Sequence, residues 1–261
     1  MANLPESRLE PAPPFTYCVV DYFGPWLVKE GRKEVKRYGA LFTCMASRAV
    51  HMEVANSIDT DSFIQALRKF IARRGPVREI SSDQGTNFVG ADNEHKRACD
   101  EIDDNTIKAE LLKHNIDWKR NPPAASHFGG VWERQIRSVR NILAALMKEQ
   151  GRRLNDETFR TLLCKAEAII NSRPLTVESL SDPFPPIPLT PMALLTGKSK
   201  IVFPPLGKFQ RADLYCTRRW RQVQHLTNEF WKRWKNEFLQ NLQPRQREAK
   251  LQRRRCGAVE R

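Results

Sequence analysis

The sequence has no long apolar run and no recognisable targeting segment. None of its stretches reaches the roughly 18 uncharged apolar residues that a membrane-spanning helix needs, and no apolar segment follows the charges of residues 1–8. We therefore expect a soluble chain without a membrane partner. Its 261 residues, 40% hydrophobic and 28% charged, suffice for one sizeable core with an appendage, or for two small domains.

Clusters of cysteine and histidine are also absent. The six cysteines are scattered without a C-x-x-C pair. Scattered cysteines in mostly apolar surroundings are typical of reduced thiols inside the cell rather than of a disulfide framework. The histidines are isolated from one another, at His51, His95, His114, His127 and His225. Without a cluster at metal-ligand spacing, we expect no zinc site in this chain.

Acidic residues are too few to balance the basic ones. The chain has 44 Lys and Arg against 30 Asp and Glu, which gives a net charge of +14. From Lys208 to the end, 15 basic residues stand against 5 acidic ones, so this tail carries +10 and residues 1–207 carry +4. Such a tail favours a polyanion, and nucleic acid in particular, as the partner. The alternative is a solvated basic tail without a specific partner.

Apolar periodicity predicts a meander of strands followed by helices. Apolar runs at 17–20, 38–45 and 49–54, with turn residues Gly24-Pro25 and Gly31 between the first two, predict three antiparallel strands. The later predicted elements are a helix from Asp59 or Thr60 to Gly75, a strand at 79–82, a helix at 89–102, a strand at 116–118, and helices at 128–150, 156–171 and 220–242. This order fits a mixed sheet flanked by helices, as in many α+β domains.

Composition divides the chain into three parts. Residues 1–16 are rich in proline and form a linker remnant. Residues 17–197 hold the predicted sheet and helices and form the core domain. Residues 198–261 form a basic extension, which we expect to be partly helical and to become disordered from residue 243.

Three acidic residues stand in contexts that burial alone does not favour. Asp21 directly follows an apolar run, Asp83 directly follows the predicted strand at 79–82, and Glu133 lies beside Trp132 on the long predicted helix at 128–150. An acid at the end of an inner strand is costly to bury unless a cation offsets its charge. Mg²⁺ and Mn²⁺ prefer carboxylate oxygens, so the trio could hold two such ions around a phosphate. The alternative is that each is an ordinary surface or capping residue.

Four separated strings stand in a fixed order around these acids. They are VDYFGP at 20–25, RAVHME at 48–53, SDQGTNF at 82–88 and HFGGVWE at 127–133. Together with NSRPL at 171–175 and LTP at 189–191, these strings resemble the integrase catalytic core of BEL/Pao-type LTR retrotransposons, over roughly residues 5–200. Agreement of several strings in order is far more specific than any one of them.

The resemblance implies a fold, a site and an activity. The implied fold is α/β: an RNase H-like mixed five-stranded sheet flanked by helices, here with a basic helical C-terminal tail. By position, Asp21, Asp83 and Glu133 form the D,D,E triad that binds two Mg²⁺ or Mn²⁺ ions. The implied activity is 3′-end processing and strand transfer by a polynucleotidyl transferase. DNA is then the partner, a homo-oligomer the working form, and the nucleus the location, with a cytoplasmic particle as the alternative.

Departures from the family pattern leave other functions open. Gln84 and Ser126 replace the usual Asn and Pro, and the family's N-terminal His-His-Cys-Cys zinc module has no counterpart in this sequence. Residues 230–243 resemble the start of the family's C-terminal region, which then breaks off. We therefore expect a copy truncated at both ends. A catalytically inactive or domesticated nucleic-acid-binding relic is the alternative function, and a plain nuclease of the same fold is a third.

Candidate DNA-binding residues surround the triad. Arg137 and Arg140 lie four and seven residues after Glu133, so the three share one helix face, where arginines suit phosphates. The alternative is a solvated face on which the arginines pair with Glu133. Asn87 follows the Gly85 turn and suits either a phosphate or a helix cap. The predicted DNA-binding set is Asn87, Arg134, Arg137 and Arg140.

Aromatic residues and a histidine have simpler predicted roles. Trp231 and Trp234, with Phe230 and Phe238, lie among basic residues and could stack on bases. We favour the reading in which they form the apolar face of a docking helix. For His51, which lies in a strand pattern, we expect packing on the sheet rather than metal ligation.

Overall fold

A mixed five-stranded sheet with the order β3-β2-β1-β4-β5 forms the centre of the protein. The computed structural model describes residues 10–83, 103–121, 132–150, 154–175, 188–198, 210–215 and 219–256. The strands are β1 (Tyr17–Glu30), β2 (Lys33–Cys44), β3 (Val50–Ala55), β4 (Glu79–Asp83) and β5 (Asp117–Asn121). The helices are α1 (Thr60–Arg74), α2 (Asp104–Lys113), α3 (Trp132–Gln150), α4 (Asp156–Asn171), α5 (Pro191–Thr196), a 3₁₀-helix (Arg211–Tyr215) and α6 (Arg219–Cys256).

Strand directions follow from the lengths of the connections. β1, β2 and β3 are antiparallel neighbours joined by short turns. Helix α1 then crosses back, so that β4 lies parallel to β1, and β5 lies parallel to β4. This order and these directions confirm the predicted RNase H-like mixed sheet with flanking helices and a helical C-terminal part.

Strand β1 is longer than the sequence predicts. Gly24 and Pro25 lie inside it as an irregularity instead of forming a turn, because the pairing with β2 shifts register between Phe23 and Trp26. Gly24 has a φ of +111°, a conformation that favours glycine. The strand resumes at Trp26 and ends before the turn at Gly31, so the predicted turn at Gly24-Pro25 is wrong and the one at Gly31 is confirmed.

Helices α1 and α4 match their predictions, because their side-chain caps are readable in the sequence. Asp59 begins α1 by accepting a hydrogen bond from the backbone N–H of Ser62 at 2.7 Å, and Gly75 ends it with a φ of +91°. Asn155 begins α4 in the same way, with its Oδ1 3.0 Å from the backbone nitrogen of Thr158. α4 covers the predicted residues 156–171.

Helices α2 and α5 were not predicted. α2 begins after Asp103, whose carboxylate accepts a hydrogen bond from the backbone N–H of Asn105 at 3.0 Å. α5 begins after Thr190, whose hydroxyl accepts one from the backbone N–H of Ala193 at 3.1 Å. Both helices are short, so they carry little periodicity for a sequence pattern to detect. The helix that was predicted at 89–102 lies outside the described residues.

Helix α6 continues beyond the predicted boundary. The sequence predicts disorder from residue 243, but the helix reaches Cys256. The segment 243–256 is basic and contains Pro244, and both features oppose a helix. Its other residues, except Cys256, are Gln, Arg, Glu, Lys, Ala or Leu, and all of these have high helix propensity. Propensity and the adjoining helix decide the conformation here, so the expected disordered end is wrong for this segment.

Two apolar clusters cover opposite faces of the sheet. Helices α1 and α2 pack on one face, where Phe42 and Leu67 are completely buried. Helices α3, α4 and α6 pack on the other face, where Leu41 and Leu143 are completely buried. Side chains alternate along a strand, which sends the neighbours Leu41 and Phe42 to different clusters. No helix in the described part of the chain is long and apolar enough to cross a membrane.

Helix α6 belongs to the second cluster through its aromatic residues. Phe230 and Trp234 are buried, and Trp231 and Phe238 are partly buried against the same cluster. A buried ring has no face left for a nucleic-acid base, so the docking-helix prediction is confirmed. Arg233 of α6 also forms an ion pair of 3.0 Å with Glu149 of α3.

The described cysteines are free thiols. Cys18 and Cys44 are buried register partners on β1 and β2. Cys164 on α4 is exposed, so the expectation of buried thiols holds for the two strand cysteines and fails for this one. Burial raises the pKa of the Cys18 thiol well above its usual value.

Edge strand β3 is covered by side chains of α4. Asn171 accepts a hydrogen bond from the backbone N–H of Val50 at 2.8 Å and donates one to the carbonyl of Val50 at 2.7 Å. Glu167 accepts one from the backbone N–H of Met52, also at 2.8 Å. These bonds satisfy backbone groups that an edge strand otherwise leaves open, and they hold α4 against the sheet.

His51 on β3 is buried and lies among charged side chains. Its Nε2 is 3.0 Å from Glu53, and its Nδ1 is 3.4 Å from Glu167 and 3.1 Å from Nε of Arg74. The ring also contacts Phe70. The prediction that His51 packs on the sheet is therefore confirmed.

The carboxylates around His51 set the direction of its pKa. Burial alone lowers the pKa of His51, but the hydrogen bonds to Glu167 and Glu53 outweigh burial and raise it above the usual value. A protonated Nδ1 donates to Glu167 and cannot accept from Arg74. Protonation therefore strengthens the contacts of His51 with the two carboxylates at the expense of one bond from Arg74.

We expect Asn171→Ala to destabilise the fold. The substitution leaves both backbone groups of Val50 without their partner, which costs about 1–3 kcal/mol for each buried unsatisfied group. Because two groups lose their partner, urea denaturation should show a loss of about 2–6 kcal/mol in the free energy of unfolding. Asn236→Ala, at an exposed position of α6, is the matched control and should change little. Equal stability of both variants would show that Asn171 does not hold the edge strand.

We expect stability to depend on pH through His51. Because its folded pKa is raised, its contribution to stability is complete below the unfolded pKa of about 6.5 and is lost as the pH rises through the folded pKa. His51→Gln should remove this part of the decline in the free energy of unfolding above that pH. His114→Gln, at a side chain 41% exposed, serves as the control. An unchanged pH dependence in His51→Gln would contradict the expectation.

Candidate active site

Asp21 and Asp83 occupy corresponding positions on neighbouring parallel strands. The register between β1 and β4 pairs Val20 with Ser82, and each aspartate is the next residue along its strand. Neighbouring strands lie about 4.8 Å apart. The backbone therefore brings the two predicted aspartates together, although they are 62 positions apart in the sequence. The side chain of Asp83 lies outside the described part of the structure.

The carboxylate of Asp21 is held by helix α3. Nη1 of Arg140 donates a hydrogen bond to Oδ2 of Asp21 at 3.0 Å, which makes a charge-assisted contact. The side chain of Asp21 is 15% exposed and that of Arg140 is 29% exposed, so the pair lies at the edge of the core rather than in open solvent. This contact fixes which part of α3 faces the first half of β1.

Glu133 is the second residue of the same helix. It precedes Arg140 by seven residues, which is about two helical turns and a rise of about 10.5 Å. The structure thus places Glu133 on the helix that contacts Asp21, while its side chain is not among those described.

Of the four predicted DNA-binding side chains, the structure describes those of Arg137 and Arg140. Arg140 is in contact with Asp21, and Arg137, one turn earlier, is exposed. Arg134 lies in the first turn of α3, and its side chain is not described. Asn87 lies outside the described residues. The alternative, in which the arginines pair with Glu133, concerns a side chain outside the described set.

The carboxylate residues of β1, β4 and α3 are of the type that binds a hard divalent cation. No group of three His, Cys, Asp or Glu side chains within the described set could hold a metal ion, and that set lacks the carboxylates of Asp83 and Glu133. The described carboxylate, Asp21, is half-enclosed and already stabilised by a cationic group, the guanidinium. The sequence predicts Asp21 at a strand end, but it lies inside β1, beside the position where Asp83 ends β4. Carboxylate oxygens on two neighbouring strands fit the preference of Mg²⁺ and Mn²⁺.

An open groove of about 710 Å³ runs along the site between β1 and α3. Pro25 and Leu27 form its strand side, and Ala144 lies opposite on the helix. Arg140 and Lys148 add positive charge along the helix side. The irregularity in β1 thus borders a groove with an apolar floor and a cationic wall, and Arg140 belongs to both the groove and the acidic site.

Sequence reasoning missed the contact between Arg140 and Asp21. The helical spacing identified Arg140 as a companion of Glu133, but the partner on β1 is 119 residues away. No local pattern encodes a contact of that separation. The groove was missed because the sequence pattern at Gly24-Pro25 indicated a turn.

Comparisons with known sequences give one short match. The family model described as a family of unknown function (DUF5641) matches residues 218–256, which include the whole of α6. No curated protein is similar to this chain.

Similar solved structures include two integrase proteins. The catalytic core domain of BIV integrase is 17% identical with a TM-score of 0.45, and the match covers 70% of this chain and 95% of that one. A chain of the simian T-cell lymphotropic virus intasome in complex with PP2A regulatory subunit B56 gamma is 16% identical, also with a TM-score of 0.45. That match covers 81% of this chain and 64% of the other. The fold assignment itself rests on the strand order and strand directions of this chain.

Proposed function

We propose that this chain is the catalytic core of a BEL/Pao-type retrotransposon integrase, a metal-dependent polynucleotidyl transferase. Asp21, Asp83 and Glu133 are its catalytic residues and together hold two Mg²⁺ or Mn²⁺ ions. The reactions are hydrolysis at the 3′-end of the element's DNA and joining of that end to target DNA. The element's ends and the target are its DNA partners.

The observation that carries this proposal is the register between β1 and β4. It sets Asp21 and Asp83 side by side on the sheet, at the point where α3 approaches through Arg140. Because side chains alternate along a strand and Ser82 faces Trp118 on the α1 side, position 83 belongs to the sheet face that α3 covers. A third carboxylate from the N-terminal turn of α3 completes the set.

The chain's own residues divide the chemistry between them. When bound, the divalent cations activate the attacking oxygen and stabilise the leaving oxygen of an in-line displacement at phosphorus. The three carboxylates hold those cations where β1 and β4 lie side by side. Arg137 and Arg140, with Arg134 and Asn87, bind the phosphates of the DNA end, and positioning is the main contribution of the protein to such a displacement.

Other parts of the proposal concern assembly. The working form is a homo-oligomer in the nucleus, because two element ends must be joined to one target. The basic helix α6 supports DNA capture next to the core.

We expect the chain to catalyse disintegration, the reversal of strand transfer on a branched DNA substrate. This reaction needs little beyond the metal triad and a held DNA junction, so it should persist weakly in Mg²⁺ or Mn²⁺. Glu133→Gln removes a metal-binding charge at nearly constant volume and should reduce the rate by about a hundredfold or more. The measurement is release of the labelled product strand.

Two controls separate loss of chemistry from loss of folding. Glu157→Gln, on an α4 side chain that is 81% exposed, should leave the rate unchanged. Circular dichroism should show the same helix content in every variant. If folded wild type and Glu133→Gln are equally silent in both metals, the enzyme proposal fails and the DNA-binding relic replaces it.

The basic tail also contributes apolar residues to the core, so its charge has to be tested without removing it. Deleting residues 208–261 would remove Phe230 and Trp234 from the core, so charge neutralisation is the sounder approach. We expect the triple substitution of the exposed cations Arg219, Lys232 and Lys235 by Gln to weaken DNA binding at low salt. The slope of log affinity against log salt should flatten by about 1 for each lost phosphate contact.

The matched control neutralises three exposed cations outside the tail, namely Arg32, Lys33 and Lys108. Affinity for a duplex of arbitrary sequence is measured by fluorescence anisotropy over a range of salt concentrations. Equal slopes for the two triple variants would show that α6 has no special part in DNA capture.

A further inference from the structure

The contact between Arg140 and Asp21 joins two residues with different predicted roles. Asp21 is a candidate metal ligand and Arg140 is a candidate DNA ligand, yet Nη1 and Oδ2 lie 3.0 Å apart. Other arginine–carboxylate pairs, such as Arg37 with Asp156 at 2.6 Å, connect residues to which no chemistry is assigned. The pair at Asp21 is therefore in a position to regulate the site.

A guanidinium and a divalent cation compete for the same carboxylate. Oδ2 of Asp21 engages the guanidinium through a charge-assisted hydrogen bond. A divalent cation needs the negative charge of that carboxylate and approaches at about 2.0–2.6 Å, so repulsion between the two cationic groups opposes simultaneous binding. Binding of the metal should displace Arg140 unless another anion compensates its charge.

The surroundings of Arg140 offer such an anion a place. Arg140 lines the groove between β1 and α3, and Lys148 lies two turns further along the same helix. A planar guanidinium binds phosphate through two parallel hydrogen bonds, which makes it well suited to a DNA strand lying in that groove. The same side chain can thus serve Asp21 in one state and a DNA phosphate in another.

We propose that Arg140 exchanges partners: it holds Asp21 in the metal-free protein, and it moves to a DNA phosphate when a divalent cation takes the carboxylate. This inference rests on the proposed function and adds a coupling to it. Metal binding frees Arg140 for DNA, and DNA removes the competitor of the metal. Each ligand therefore raises the affinity for the other by the same factor.

The test measures binding of Mn²⁺ to the full chain by electron paramagnetic resonance, with and without a blunt 20-base-pair duplex. Without DNA, Arg140→Gln should bind Mn²⁺ about tenfold more tightly than wild type, because the competing cation is gone. Addition of the duplex should raise the Mn²⁺ affinity of wild type by a similar factor and leave that of Arg140→Gln nearly unchanged. Arg140→Lys, which keeps the charge, should restore part of the coupling.

Two further variants test whether Mn²⁺ binds at Asp21 and whether the change in affinity is specific to Arg140. Asp21→Asn should abolish Mn²⁺ binding at this site. Arg160→Gln removes an arginine of similar exposure, which pairs with Asp156 at 2.6 Å on α4, and should bind Mn²⁺ like wild type. A merely structural role of Arg140 would lower stability without raising metal affinity.

The outcomes distinguish this inference from the proposed function. If wild type binds Mn²⁺ through Asp21 but Arg140→Gln binds it no more tightly and keeps the response to DNA, the exchange is overturned and the proposed function stands. If neither protein binds Mn²⁺, both are overturned. If Arg140→Gln binds Mn²⁺ and wild type binds it measurably only with DNA, the exchange is supported in its strongest form.

Discussion

The parallel pairing of β1 with β4 is the constraint on which the site depends. It is produced by helix α1, which carries the chain from the edge strand β3 back to the centre of the sheet. A slip of one residue in this register would turn one aspartate to the opposite face and separate the pair. The buried neighbours Val20 and Ile80, both in the cluster beneath α1, oppose such a slip.

Helix α3 is the second requirement, and its placement depends on packing. Val139, Leu143 and Leu146 lie in the apolar cluster shared with α4 and α6, so the aromatic residues of α6 help to determine where α3 sits. Arg140, between these buried positions in the sequence, reaches Asp21. The basic C-terminal helix is therefore part of the core that holds α3, and with it Arg140, beside Asp21.

Much of the fold could be predicted from local signals, and the remainder depends on distant partners. Asp59, Gly75 and Asn155 mark helix ends through caps that involve residues close in sequence, so α1 and α4 were predicted well. Gly24-Pro25 was misread because a strand irregularity uses the same residues as a turn, and only the pairing with β2 distinguishes the two.

The candidate site was also predictable only in part, because it combines local motifs with contacts between distant residues. The motifs identified Asp21 and Asp83, and the strand register brings their backbones together. The link from Asp21 to Arg140 depends on how α3 packs, which no spacing within one helix can reveal. Convergence of all three acidic side chains remains the central proposal.

Anomalous scattering from a crystal of the full chain soaked in Mn²⁺ tests that proposal most directly. We expect a manganese peak coordinated by the carboxylates of Asp21 and Asp83, with Glu133 completing the site and Arg140 withdrawn from Oδ2 of Asp21. A structure in which Mn²⁺ binds elsewhere, or in which the carboxylates of Asp21 and Asp83 are too far apart to share a cation, would contradict it.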